Sequence, residues 1–260
     1  MRLPEAGARA WLDDPALHAG LAVFETVLLV DGRPLDLARH LGRMREGAGR
    51  LGIPLPDARA IGASIDAGCR ERSSGRAWLK LLATRGGRWL VLTGSLQGHE
   101  QDGGVAAIVL PFERDARDPL VTIKSTCRAA QQLGLELARR RGADEALWRN
   151  THGRLTEGCA SNLFVVRHGI VHTPALREGV LPGIVRECAI AAARALGVPL
   201  HEGRVRRERL ARAQEAFLTG SLAGVRPLVR VDGKPVGSGE AGPLTLRLAR
   251  EVERMRFEGW

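Results

Sequence analysis

The chain has no tyrosine, and its aromatics amount to five phenylalanines and five tryptophans among 260 residues. So few rings, with no RNP-like or zinc-finger pattern, argue against nucleic-acid binding as the main function. The four cysteines, Cys69, Cys127, Cys159 and Cys188, lie far apart with no CxxC or Cys/His ligand spacing. Neither a disulfide framework nor a metal site is predicted, and buried free thiols are expected instead. Long apolar runs are absent, so no window reaches the roughly 18 apolar residues of a membrane span. The opening MRLPEAGARAWLDD has no basic region leading into an apolar core, which predicts a cytoplasmic protein without an export signal. Also missing are GxGxxG after a strand, GxxxxGK[ST], GxSxG and HExxH, so common nucleotide, serine-hydrolase and zinc-protease chemistries have no support.

What is present is an ordinary globular composition, 44% hydrophobic and 26% charged. The length suits one large domain or two small ones. Basic residues outnumber acidic ones 39 to 29, a net charge of +10 that attracts nucleic acid or anionic small molecules, although the positives are spread along the whole chain and not gathered in a tail or one helix face. Only three of those 39 are lysines, Lys80, Lys124 and Lys234. Arginine neither gives up its proton near neutral pH nor forms an imine, so each lysine is a candidate for amine chemistry. Lys234 falls in a Val-Asp-Gly-Lys-Pro turn, and Lys80 in AWLKLLA, where a strand can show it to solvent. Lys124 ends the apolar stretch Leu120-Val121-Thr122-Ile123, where desolvation would favour a neutral amine.

Periodicity predicts a strand over 22–30 turning at Asp31-Gly32, then a helix capped by Asp36 and ending at Gly52. A helix near 57–72, a hairpin around Gly86-Gly87 and the strand VAAIVLP follow. The polar, proline-bounded 111–119 reads as a linker. Beyond it come a short strand VTIK, a helix over 126–141 that Ser125 can cap, and the strands DEALWRN, RLTEG, SNLFVV and IVHTP. A helix from Pro182 to Leu196, a short one near 206–213, the strands EAFLTGS and VRPLVRV, and a helix over 243–257 complete the chain. The expectation is an α+β protein of two domains, 1–115 and 120–260, the second carrying Lys124.

Several segments, taken in order, resemble the class IV aminotransferase family, the fold-type IV enzymes that use pyridoxal 5′-phosphate. They are FET (24–26), RHLGRM (39–44), IKSTCR (123–128), ADEAL (143–147), LTEGCASNLF (155–164), LPGIVRE (181–187) and FLTGSLAGVRPL (217–228). The resemblance implies a two-domain fold like that of D-amino-acid aminotransferases, a site between the domains and a homodimer. It implies that Lys124 holds the cofactor covalently and moves protons, and that Glu157, beside Asn162, pairs with the pyridine nitrogen. Arg43 would bind the phosphate, with Gly183, Ile184 and Val185 at a helix start and Gly220 and Ser221 after a strand. Arg128 and Leu222 would meet the substrate, and Thr26 would help position a proton.

Within the family, Ser221-Leu222-Ala223-Gly224-Val225-Arg226-Pro227 looks like the pattern of 4-amino-4-deoxychorismate lyases, which release pyruvate and 4-aminobenzoate for folate synthesis. Arg128, four residues after the lysine, is what the lyases tend to show, and many relatives carry a tyrosine shortly after the lysine that this chain lacks. The run before FET, Gly20-Leu21-Ala22-Val23, also departs from the GDGxFET-like pattern of relatives. A lyase acting on a small anionic amino substrate is therefore expected. A branched-chain or D-amino-acid aminotransferase is the alternative, and a basic nucleic-acid-binding protein a minor one.

Overall fold

The computed structural model describes residues 12–96 and 104–260. Most of the opening stretch read for an export signal lies outside the described residues. Two compact units divide the chain. One takes the described residues of Met1–His99 together with Ile123–Arg128, and the other those of Glu100–Thr122 with Ala129–Trp260. The division differs from the expected 1–115 and 120–260 in two ways. Lys124 clusters with the first unit, and residues 105–114 with the second.

The first unit opens on a short helix α1 (Pro15–Ala19) and is built on a four-stranded antiparallel sheet ordered β2-β1-β3-β4. Strand β1 (Ala22–Val30) turns at Asp31 and Gly32, both at positive φ as a tight hairpin requires, into β2 (Arg33–Pro34). It pairs along nine residues with β3 (Arg76–Thr84), which pairs in turn with β4 (Trp89–Ser95). Side chains alternate across a strand, so Val23, Glu25, Val27 and Leu29 share one face and Phe24 and Thr26 the other. Helix α2 (Leu37–Leu51) covers the first face, close enough that a Cβ on Gly47 would lie 3.5 Å from Val23. Asp36 stands at its N-cap without a side-chain capping bond. Its φ of 57° departs from the extended backbone that aims a cap at the first-turn amides. Helix α3 (Ala58–Arg70) has a true cap, Asp57 Oδ1 accepting from the Ala60 amide at 2.8 Å.

The expected strand VTIK is absent. Residues 120–128 form turns, tied to the start of β1 by one bridge between Val23 and Ser125. The Phe24 amide donates to the Lys124 carbonyl at 3.0 Å and the Thr126 amide to the Ala22 carbonyl at 2.9 Å. These backbone bonds explain why Lys124 belongs to the first unit.

In the second unit, β5 (Val105–Arg114) runs through the start of the expected linker. Pro111 is tolerated because the pairing with β6 (Glu145–Asn150) shifts register between Val109 and Glu113. Helix α4 (Ala129–Arg140) precedes β6, starting later than expected. Then come β7 (Arg154–Gly158), β8 (Asn162–Arg167) and β9 (Ile170–Pro174). Helix α5 (Ile184–Ala195), β10 (Leu200–Gly203), β11 (Val205–Arg206) and the short α6 (Arg207–Ala211) follow. The chain ends with β12 (Glu215–Gly220), β13 (Gly224–Val231), β14 (Lys234–Pro235) and α7 (Pro243–Glu258).

Strands β8-β12-β13-β5-β6-β7 pair in sequence, and a last pairing of β7 with β8, Glu157 opposite Asn162, closes the ring. Its interior is packed with Val105, Ala107, Val109, Leu147, Leu163, Val165, Ala216, Leu218 and Leu228, as a small barrel's must be. The alternate residues face outward into helices. Phe164 stacks on Phe217 at 4.6 Å beneath residues of α5 and α7, and Ile108, Leu110 and Trp148 pack with Ala138 of α4. Burial of both faces is why these strands read as continuous apolar runs. All four cysteines are free thiols; Cys159 and Cys188 are buried as expected, but Cys69 is only half-buried and Cys127 is exposed. Among the described residues no helix is long and apolar enough to cross a membrane.

Candidate active site

In the first unit the site is built on β1. Glu25 is fully buried and accepts three hydrogen bonds from α2: His40 Nδ1 at 2.7 Å, Arg43 Nε at 2.8 Å and Arg43 Nη2 at 2.7 Å. Residues three apart on a helix share a face, which places His40 and Arg43 over the same carboxylate. Burial alone would raise the Glu25 carboxyl, but the Arg43 charge and hydrogen bonds, with those of His40, hold it at about 2. Burial lowers His40, against the pull of Glu25, so the ring is neutral near pH 7 and donates through Nδ1–H. Arg43 Nε and Nη2, in the residue expected on a phosphate, are thus engaged by Glu25, which sets the orientation of the guanidinium.

On the opposite face of β1, three basic side chains gather around Phe24. Lys124 Nζ lies 4.8 Å from the ring centroid, Lys80 Nζ 5.0 Å and the Arg128 guanidinium 5.7 Å. Thr26 stands directly across the ladder from Lys80. Lys80 therefore does not simply face solvent as its strand position suggested. The register with β1 turns it toward the same ring as Lys124.

In the second unit, Glu157 and Asn162 flank the turn at which the barrel closes. Glu157 Oε1 accepts from Arg114 Nη2 at 2.6 Å. Its Oε2 accepts from Asn162 Nδ2 at 3.1 Å and from the Leu181 amide at 2.9 Å. Arg114 also donates to the Gly179 carbonyl at 2.6 Å and lies over Trp148. Sequence reasoning missed it because it lies inside the segment read as a linker. Glu145, from the ADEAL segment, is also buried and holds the turn itself. It accepts from the amides of Cys159 (3.0 Å) and Ala160 (3.2 Å) and from the Ser161 hydroxyl (2.8 Å). Burial raises the Glu145 carboxyl despite these bonds.

Helix α5 starts beside this pair. Gly183 is its N-cap and offers no side-chain cap, so the first-turn amides of Ile184 and Val185 lack intrahelical acceptors. A Cβ on Gly183 would collide with the Asn162 side chain. Across the ladder from Asn162 stands Thr219, whose buried hydroxyl has no hydrogen-bond partner among the described residues. Gly220 ends β12, and Ser221 and Leu222 follow in the turn to β13, where Arg256 donates to the Ser221 carbonyl at 2.9 Å. The structure thus collects Thr26, Arg43, Lys124 and Arg128 in one unit, and Glu157, Asn162, Gly183, Ile184, Val185, Gly220, Ser221 and Leu222 in the other.

A lysine amine, a carboxylate with its acceptor positions set by a guanidinium, and an uncapped helix start beside an orphaned hydroxyl are the parts a pyridoxal 5′-phosphate enzyme needs. The class IV amino-transferase family profile matches residues 22–231. A branched-chain-amino-acid aminotransferase of Salmonella typhimurium is 30% identical over 264 residues, covering 90% of this chain and 83% of that one. The solved branched-chain aminotransferase of the archaeon Thermoproteus uzoniensis, with norvaline, superposes with a TM-score of 0.84 at 27% identity. The match covers 94% of this chain and 88% of that one. A protein from Legionella pneumophila described as a candidate 4-amino-4-deoxychorismate lyase shares the fold, with a TM-score of 0.85, 24% identity and 94% of each chain covered. The chain belongs to the class IV aminotransferases, pyridoxal-phosphate enzymes of aminotransferase or lyase type.

Proposed function

We propose that this enzyme is a 4-amino-4-deoxychorismate lyase, releasing pyruvate and 4-aminobenzoate. The observation that carries the reading is the set of Lys80, Lys124 and Arg128 around Phe24. With Lys124 reserved for the cofactor, Lys80 and Arg128 supply two cationic side chains that match the two carboxylates of aminodeoxychorismate, whereas the side chain of leucine carries no charge for them to meet. The lyase-like run Ser221–Pro227 and the absence of tyrosine support the same choice.

In this reading Lys124 holds the cofactor and returns as a base to move the proton at the substrate carbon. Glu157 pairs with the ring nitrogen, held in place by Arg114 and Asn162. The first-turn amides of α5, the residues after β12 and Arg43 carry the phosphate. When bound, the cofactor supplies an electron sink for the pair released as that proton leaves. Arg128 and Lys80 orient the carboxylates, Leu222 contacts the substrate, and Thr26 positions a proton.

A second reading, a branched-chain aminotransferase, is favoured by the likeness to the Salmonella enzyme. The test is to give the holoenzyme aminodeoxychorismate and assay both products, then give it leucine with 2-oxoglutarate and assay glutamate. Equal amounts of pyruvate and 4-aminobenzoate, lost in Lys124→Ala, support the lyase. Glutamate without those products establishes the second reading. Unchanged turnover in Thr26→Ala removes Thr26 from the mechanism.

A further inference from the structure

Away from these residues, arginines recur at 167 and through Arg204-Val205-Arg206-Arg207-Glu208-Arg209-Leu210-Ala211-Arg212. The fold of the second unit turns this run into one basin. In β11, Val205 is buried in the barrel core, which directs Arg206 outward. In α6 the buried Leu210 anchors the helix, leaving Glu208 exposed and Arg209 half-buried, and the exposed Arg212 follows at its C-cap. Together with Arg167 at the end of β8 and Arg204, these side chains line a cavity of about 340 Å³.

Five guanidinium groups share that cavity with one carboxylate. Among the described residues, Arg167, Arg206, Arg209 and Arg212 have no carboxylate within ion-pair distance, and Arg204 reaches Glu178 only at 3.9 Å. Arg209 is positioned by a different kind of partner, donating through Nη1 to His172 Nε2 at 2.8 Å. Burial, with Arg209, His201 and Arg167 nearby, lowers His172 to about 4, so the ring accepts this bond as a neutral base and adds no charge. Like charges crowded without counter-ions repel one another, and an anion binding among them gains what they lose.

The chemistry of the lining narrows the anion. Guanidinium forks match paired oxygens, and five of them exceed what one phosphate can use. No aromatic ring lines the cavity, so nothing is offered for stacking a base. We propose that this basin binds an oligophosphate, the chemistry shared by inorganic triphosphate and the tail of a nucleoside triphosphate. It shares no lining residue with the cofactor-binding candidates and does not depend on which reaction the enzyme performs.

The test is isothermal titration of cofactor-saturated enzyme, so that the cofactor's own phosphate site is filled, with inorganic triphosphate, orthophosphate and ATP. The wild type is expected to bind triphosphate more tightly than orthophosphate. Arg206→Gln with Arg212→Gln should weaken triphosphate roughly tenfold or more. The control Arg59→Gln with Arg70→Gln removes the same charge from α3 and should change binding less than about twofold. Equal affinity for ATP and triphosphate assigns recognition to the phosphates alone; tighter ATP binding adds a nucleoside contact. Absence of triphosphate binding, or equal weakening in both double variants, overturns the proposal. Should the basin double variant fail to fold, the exposed Arg206→Gln alone provides the same comparison.

Discussion

Replacing Glu25 by glutamine tests the ion cluster beneath the lysine. Glu25 is fully buried, and the Arg43 side chain is only 8% exposed. The substitution leaves a buried guanidinium without its counter-ion and exchanges one acceptor oxygen for a donor facing Arg43 or His40. Breaking such a pair costs roughly 3–5 kcal/mol. The depression of the Glu25 carboxyl from 4.5 to about 2 has the same origin and corresponds to a magnitude on the order of 3 kcal/mol. For a chain of this size that corresponds to a fall in Tm of about ten degrees. The pH dependence has a definite sign. A lowered carboxyl contributes its stability above its unfolded value of 4.5, and that contribution is lost as pH falls toward about 2. Thermal melts of wild type and Glu25→Gln should therefore differ widely at neutral pH and converge as the solution is acidified. Equal Tm values at neutral pH, or a gap that does not shrink in acid, would refute the reasoning.

Arg114→Gln removes the 2.6 Å ion pair from Glu157 while leaving the Asn162 and Leu181 bonds. Turnover should fall by roughly ten- to a hundredfold with cofactor still retained, and unchanged turnover would show that Arg114 does not act through Glu157. Gly183→Ala forces the Asn162 side chain away from its bonds to Glu157 and to the Leu181 carbonyl. Equilibrium dialysis should show cofactor affinity at least about tenfold weaker; wild-type affinity would mean the helix start takes no part in binding.

Much of the fold was legible because both sheets impose period on the chain. AVFETVLLV could only be a buried strand, and the stripe from Leu37 to Leu51 only an amphipathic helix. The failures share a cause in tertiary context. VTIK has the composition of a strand, but only its Lys124 carbonyl accepts from β1, while the Val121 amide and the Ile123 carbonyl bond within the local turns, so no ladder extends. Pro111 suggested a linker because a shifted register that accommodates it leaves no mark in local sequence. Arg114 was hidden for the same reason, although its place nine residues after Val105 in an apolar run was a usable signal. Lys80 read as a solvent-facing strand residue until the pairing of Thr26 with Lys80 turned it toward Phe24. The candidate residues themselves were readable as motifs. Their supports, Arg114, Glu145 and Thr219, take on that role only through the pairings of the closed barrel, although Glu145 and Thr219 lie within motif segments.

The central claim is that Lys124 is the amine that carries the cofactor. Lys80 provides the sharpest control, since its Nζ lies at nearly the same distance from Phe24. Borohydride reduction of the holoenzyme, followed by peptide mass spectrometry, reads the attachment directly. The account predicts a phosphopyridoxyl group on Lys124 and none after Lys124→Ala. A label on Lys80 in the wild type, or no label on a protein saturated with pyridoxal phosphate, would contradict it.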